Sequence, residues 1–173
     1  MSRFQGSASS AFNMADADHV VTCPSRQIAR AIASSARGST VSRLYRYAHL
    51  QKQCDMGNVL GVVPGDSNFT SSWASHGAEI ALVFNNSNFP NPLNPALRLH
   101  CNWTTDEAQL IGTFQNLWGS MAATGIPADT RAKWPVFGLN EQTLILATPV
   151  VHAEVAKVDD CDFWDSLNSS RVG

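Results

Sequence analysis

One stretch holds the residue types that acid–base chemistry needs. It reads Ser72-Trp73-Ala74-Ser75-His76-Gly77-Ala78-Glu79, and the apolar run Ile80-Ala81-Leu82-Val83-Phe84 follows. An imidazole accepts and returns a proton near neutral pH. The glycine beside His76 admits close approach of backbone or substrate. Glu79 stands three residues on, a poor geometry for gripping His76 as a triad acid. The apolar run carries the segment back into a core. Taken alone, a His-Gly pair reads as a surface loop, so the residues on either side decide.

Other candidate chemistry is scattered. The chain has four cysteines, Cys23, Cys54, Cys101 and Cys161, and no CxxC pair, which argues against a zinc ribbon or a thioredoxin-type site. Asn-x-Ser/Thr sequons start at Asn68, Asn85, Asn102 and Asn168. Together with an even cysteine count they favour a secretory history with disulfides. The polar, Ser/Ala-rich start, Met1 to Met14, has no apolar core of signal-peptide type. The two observations agree if the chain is the later part of a longer protein. Trp73 and Phe89 sit in loops beside His76, as pocket lining or ordinary loop aromatics. His19, His49, His100 and His152 read as structural or exposed.

Elements must position these residues. The 173 residues suffice for one domain with a real core, and 44% of them are hydrophobic. A formal net charge of -2 gives no nucleic-acid or anionic-membrane surface. No apolar run approaches the roughly 20 residues of a membrane span. Residues 1–15 read as a disordered or severed lead. The spacing of Ile28, Ala29, Ile32, Ala33 and Ala36 predicts a helix over about 24–37, capped by Thr22, started by Pro24 and stopped by Gly38. Val41 to Leu50 predicts a strand. Residues 51–72 read as the polar loop that delivers His76, and 85–103, with Pro90, Pro92 and Pro95, as a second irregular stretch.

Thr104 and Glu107 have capping-box spacing and open the strongest predicted helix. Its apolar stripe is Leu110, Ile111, Phe114, Leu117, Trp118 and Met121, and Gly125 and Pro127 stop it. Trp134 to Phe137 reads as extended. Thr143 to Thr148 and Val150 to Val155 predict a hairpin around Pro149, and Asp159 to Leu167 a short closing helix.

These motifs, in this order, resemble the C-terminal third of the carboxylesterase type B family, which includes the cholinesterases. Asp18…Cys23-Pro24 resembles its lead into a helix, and Leu44-Tyr45-Arg46-Tyr47 its strand before the histidine loop. His76-Gly77-Ala78-Glu79-Ile80 with Val83-Phe84 resembles its His-Gly-x-Glu block. Trp118…Ala122…Gly125-Ile126-Pro127 resembles its helix end, with Met121 in place of the usual Phe. Trp134-Pro135 and Cys161-Asp162-Phe163-Trp164 complete the series.

The resemblance implies an α/β fold: the last strands of a mostly parallel α/β-hydrolase sheet, with covering helices and long loops, incomplete on its own. The family portion would span 16–167, with 168–173 as a tail. The implied reaction is ester acyl transfer through a serine, without metal or cofactor, on a small carboxylic-ester substrate. His76 takes the general base and acid role, since chain order in this fold class is Ser, Asp/Glu, His. Gly77 and Glu79 would support it, Glu79 by a hydrogen bond. Cys23 and Cys161 match the family's C-terminal disulfide, which leaves Cys54 and Cys101 as a second candidate pair. Asp18 and Lys157 match an acid–base pair, with Lys in place of the usual Arg.

The other triad members are not in this chain. Gly6-Ser7, Gly38-Ser39, Gly65-Asp66-Ser67 and Gly119-Ser120 all fail Gly-x-Ser-x-Gly. The expected partner is therefore the upstream part of the same esterase, or a complementary chain, carrying the serine, the acid and the signal peptide. A non-catalytic cholinesterase-like adhesion or carrier module, or a degenerate subunit of a larger assembly, is the rival expectation. Neither involves nucleic acid or a membrane span.

Overall fold

The computed structural model describes residues 8–35, 40–51, 74, 77–91, 94–100, 102–149, 151–155 and 158–169. The side chains of residues 9, 10, 89–91, 94–100, 168 and 169 are left aside. The chain forms two compact units. The first takes Met1–Leu44, Pro135–Thr143 and Glu154–Gly173, and the second Tyr45–Trp134 and Leu144–Ala153.

In the first unit, helix α1 covers Ala8–Ala17, within and just beyond the stretch 1–15 read as a disordered or severed lead. Its Ala, Met and Phe residues outweigh the serines once a helix follows directly. A π-helical turn, Asp18–Thr22, joins α1 to α2, Cys23–Ser34. Thr22 is itself helical (φ -65°, ψ -51°) and makes no capping bond, contrary to expectation, because no free helix start exists there. Pro24 lacks an N–H, and its ring would press on the carbonyl four residues back. The widened turn before it relieves that conflict. The helix ends with Ser35 as its C-cap, short of Gly38, which lies outside the described residues.

The buried face of α2 also differs. Cys23, Arg26 and Ala29 are buried, while Ile28 is 62% exposed. Helix α5, Val158–Ser169, supplies the reason. Cys23 is disulfide-bonded to Cys161, with 5.1 Å between Cα atoms, and this fixes the rotation of α2. The expected tail therefore starts in helix, since 168 and 169 belong to α5.

Arg26 is only 4% exposed and is matched by carboxylates. Its Nε donates to Glu141 Oε2 at 2.8 Å and its Nη1 to Asp162 Oδ1 at 2.8 Å. Arg30, four residues on, binds the other oxygen of Glu141 and approaches Asp165 at 3.5 Å. Burial alone would raise the Glu141 carboxyl, but hydrogen bonds from Arg30 and Arg26 outweigh it and hold it below its ordinary value. The hydrogen bond from Arg26 does the same for Asp162. A carboxylate depressed in the folded state stabilises at any pH above its unfolded value, and that stability is lost as the pH falls through the folded value. Thermal melts should be flat from about pH 7 to 5 and fall steeply below about pH 4.5. Glu141→Gln should lower the plateau and flatten the acid limb. An unchanged acid limb in that variant would remove the cluster from the account.

Strand β1 is Leu44–Tyr47, the middle of the predicted run, and all but its first residue belong to the second unit. A one-turn helix, α3, covers Ile80–Val83. Strands β2, Asn88–Asn91, and β3, Asn94–His100, then pair antiparallel, with Asn88 opposite His100 and Pro90 opposite Arg98. This corrects the expected irregular stretch. Each strand of a two-stranded ribbon is an edge, where proline is tolerated. The register breaks between Pro90 and Asn91.

Helix α4, Thr105–Thr124, has both halves of its capping box. Thr104 Oγ1 accepts from Glu107 N, and Glu107 Oε2 accepts from Thr104 N at 2.8 Å. Gly125 closes it in the left-handed conformation, φ 76°, as predicted. Strands β4, Gln142–Leu146, and β5, His152–Val155, are neighbours in a three-stranded sheet of order β1-β4-β5, and Thr148–Pro149 between them is cis.

The core joins these pieces. Leu110, Ile111, Phe114 and Leu117 of α4 pack with Ala81 and Leu82 of α3 and Leu144 and Leu146 of β4. Trp118 stacks on Trp134 at 4.8 Å between ring centroids, and Tyr45 meets both edge-on at 5.1 and 5.7 Å. Met121, assigned to the stripe by spacing, is 42% exposed.

Candidate functional site

His76 lies outside the described residues, and so do Trp73, Cys54, Cys101, Lys157 and Asn68. The backbone that leaves His76 is described. Gly77 has φ 75°, a conformation L side chains rarely adopt, and a Cβ there would meet Ile80 Cδ1 at 3.4 Å. The glycine is therefore a backbone requirement. Ile80 N donates to Gly77 O at 3.1 Å, and the turn runs directly into α3. Ala78, Ala81 and Leu82 are buried and seat the turn, whereas Phe84 is 74% exposed. The apolar run thus returns to the core through its middle, and its end faces outward.

Glu79 occupies the N-cap position of α3 without a side-chain capping bond. Burial, and then the charge of Glu79, push the Tyr45 phenol above its ordinary value. The Glu79 carboxylate therefore acts beside β1.

A buried polar network stands at the end of β1. Ala48 N donates to Leu146 O at 2.9 Å. His49 is 3% exposed, with Nε2 3.0 Å from Glu107 Oε1 and Nδ1 2.8 Å from Thr148 Oγ1. Glu107 also holds Thr104, so one carboxylate serves a helix cap and a histidine together. Two residues on, Gln51 is 2% exposed and its Nε2 donates to Ala78 O at 2.8 Å. His49, Glu107, Thr148 and Gln51 form the constellation that sequence reasoning missed. They come from distant segments, and only the capping-box glutamate has a local signature.

Other expected residues are placed as follows. Cys23 and Cys161 are joined. Asp18 is buried, at 7% exposure, in the π-turn. Asn85 (φ 47°) and Asn102 are exposed, and Asn168 has helical backbone in α5. His19 lies against Trp164, 4.6 Å between centroids, and His152 is exposed. Phe89 and His100 lie on β2 and β3. Among the described residues, no three His, Cys, Asp or Glu side chains group as metal ligands, and no helix is long and apolar enough to cross a membrane. A cavity of about 250 Å³, lined by Asp106, Gln109, Thr113, Arg131 and Thr148 among others, does not include the Gly77–Glu79 turn.

No protein-family model and no curated protein matches this chain. Solved structures do. A "thermophylic PNB esterase" matches 91% of this chain at 21% identity, with a TM-score of 0.57. Another structure of a PNB esterase matches 70% of it at 22% identity, with a TM-score of 0.46. The chain spans only 28% and 21% of those esterase chains. At such identity the first match shows fold alone: this mixed α/β chain folds like part of a PNB esterase.

Proposed function

We propose that this chain is the histidine-bearing part of a carboxylic-ester hydrolase of the type B family. His76 is its general base and acid. The turn after His76 supports this reading most. A His-Gly-x-Glu block needs its glycine for conformation, and Gly77 has φ 75° in a turn seated by buried Ala78, Ala81 and Leu82. The esterase-like fold supports it in turn.

The reaction divides into two halves. His76 removes the proton of a serine hydroxyl as the serine oxygen bonds to the ester carbonyl carbon. It then protonates the departing alcohol as the acyl C–O bond breaks. In the second half it activates water against the acyl-serine and returns the proton to the serine. The serine and the acid come from a complementary segment, in the same protein or on a second chain, because no Gly-x-Ser-x-Gly occurs here. The Cys23–Cys161 bridge supports an oxidising, secretory location. Exposed Asn85 and Asn102 would carry glycans there.

A fluorophosphonate probe tests the reading. The protein complete with its complementary segment should be labelled at a serine of that segment, and the 173-residue chain alone should not. A complete protein that takes no label sinks the proposal. Labelling of the chain alone would overturn the claim that its nucleophile lies elsewhere.

A further inference from the structure

The turn beyond His76 leaves one carbonyl without a helical partner. Leu82 N and Val83 N both donate to Glu79 O, at 3.0 and 2.9 Å, and Phe84 N donates to Ile80 O. Ile80 N takes Gly77 O. Ala78 O receives none of these amides, yet Ala78 is 2% exposed. A buried carbonyl left without a donor is costly, so its partner constrains the backbone that carries it. That partner is Gln51 Nε2, at 2.8 Å, across a sequence separation of 27.

Gln51 is itself anchored. It follows by two residues His49, whose ring is bonded to Glu107 at the start of α4 and to Thr148 before the cis peptide. Glu107 is in turn fixed by Thr104. Hydrogen bonds therefore fix His49 to the cap of α4, and two residues of backbone carry that anchor to Gln51, which holds the residue two beyond His76. No charged group is needed at that last link, because a neutral amide satisfies a carbonyl without the penalty of a buried charge.

We propose that Gln51 is a positioning residue for the proposed catalytic His76, acting through the segment that follows it: its amide holds the Ala78 carbonyl and so fixes the Gly77–Glu79 turn. The inference rests on the esterase reading above and adds a residue that no esterase motif marks. Gln51 touches no substrate. It acts through the backbone of the Gly77–Glu79 turn, whose Ala78 carbonyl it holds. Misplacement of a catalytic group by about 1 Å can cost roughly 100-fold in rate.

Two variants test it, Gln51→Leu, which removes the donor, and Gln51→Glu, whose ionised form cannot donate. Hydrogen exchange on the 173-residue chain should speed up by about tenfold or more at the amides of 77–84 and stay near wild type in α4. In the complete protein, both variants should lower kcat by about 10–100-fold with KM within about twofold. Unchanged exchange at 77–84 overturns the inference whatever the activity. Faster exchange throughout the unit overturns it too, since Gln51 would then be a general stability residue. If the wild-type complete protein is labelled and Gln51→Leu is labelled at the same rate, positioning is refuted while the esterase reading stands. If wild type takes no label, the esterase reading fails, and the positioning role falls with it even where exchange at 77–84 responds.

Discussion

His76→Ala in the complete protein is expected to slow fluorophosphonate labelling and ester turnover by roughly 10⁵–10⁶-fold. Residues of a serine triad act as a unit, and loss of the histidine costs about as much as loss of the whole set. The substitution removes a ring next to Gly77, whose own backbone demand is met by glycine and is unaffected by the change. The melting temperature should therefore stay within a few degrees of wild type. A loss of activity matched by a loss of fold would be uninformative, so the melt is measured on the same preparation. Retention of even a tenth of the wild-type rate would remove His76 from the general-base role. A change at Glu79 has a different expected signature. Its charge acts on Tyr45, so Glu79→Gln should bring the Tyr45 phenol nearer its ordinary value by spectrophotometric titration.

Opening the Cys23–Cys161 bridge should cost up to about 5 kcal/mol, since the chain-entropy model gives that figure for a sequence separation of 138. The bridge joins two buried half-cystines, 2% and 0% exposed, and sets which face of α2 turns inward. Without it, the Arg26 cluster must hold that rotation alone. Denaturant midpoints of wild type in the presence and absence of reductant, and of Cys161→Ser, measure the effect. The reduced protein should also be more sensitive to acid, because the depressed carboxylates Glu141 and Asp162 then carry more of the remaining stability. A midpoint unmoved by reductant would mean that the two helices are held by packing and the Arg26–Asp162 and Arg30–Asp165 pairs without help from the bridge.

The parts of the fold that sequence reveals are those with local rules. Thr104 and Glu107 announce α4, Gly125 ends it, and the stripe from Leu110 to Leu117 is its buried face. The β4–β5 pair around Pro149 is legible for the same reason. The failures are all tertiary. Apolar spacing in α2 favours Ile28, but a covalent bond and two carboxylates from outside the helix decide that Arg26 is buried instead. A signal was present: Arg26 and Arg30 are four apart, and Asp162 and Asp165 three apart, as facing helices would require. Thr22 looks like a cap only if nothing helical precedes it, and α1 does.

The candidate site divides in the same way. The His-Gly-x-Glu block is visible in the sequence, but its glycine, read there as room for close approach, is used in the structure as a positive-φ backbone position. His49 and Gln51 are invisible there. A buried histidine or glutamine has no periodicity, and its partners Glu107, Thr148 and Ala78 become neighbours only through folding.

The Cys23–Cys161 bond has a topological consequence. Any single proteolytic nick between residues 24 and 160 leaves both fragments on one covalent molecule. Such a nicked protein migrates as the intact species without reductant and separates into two bands only when thiol is added. Cleavage of this chain would therefore escape size-based detection under oxidising conditions, and a protease could cut between the two cysteines without releasing either fragment.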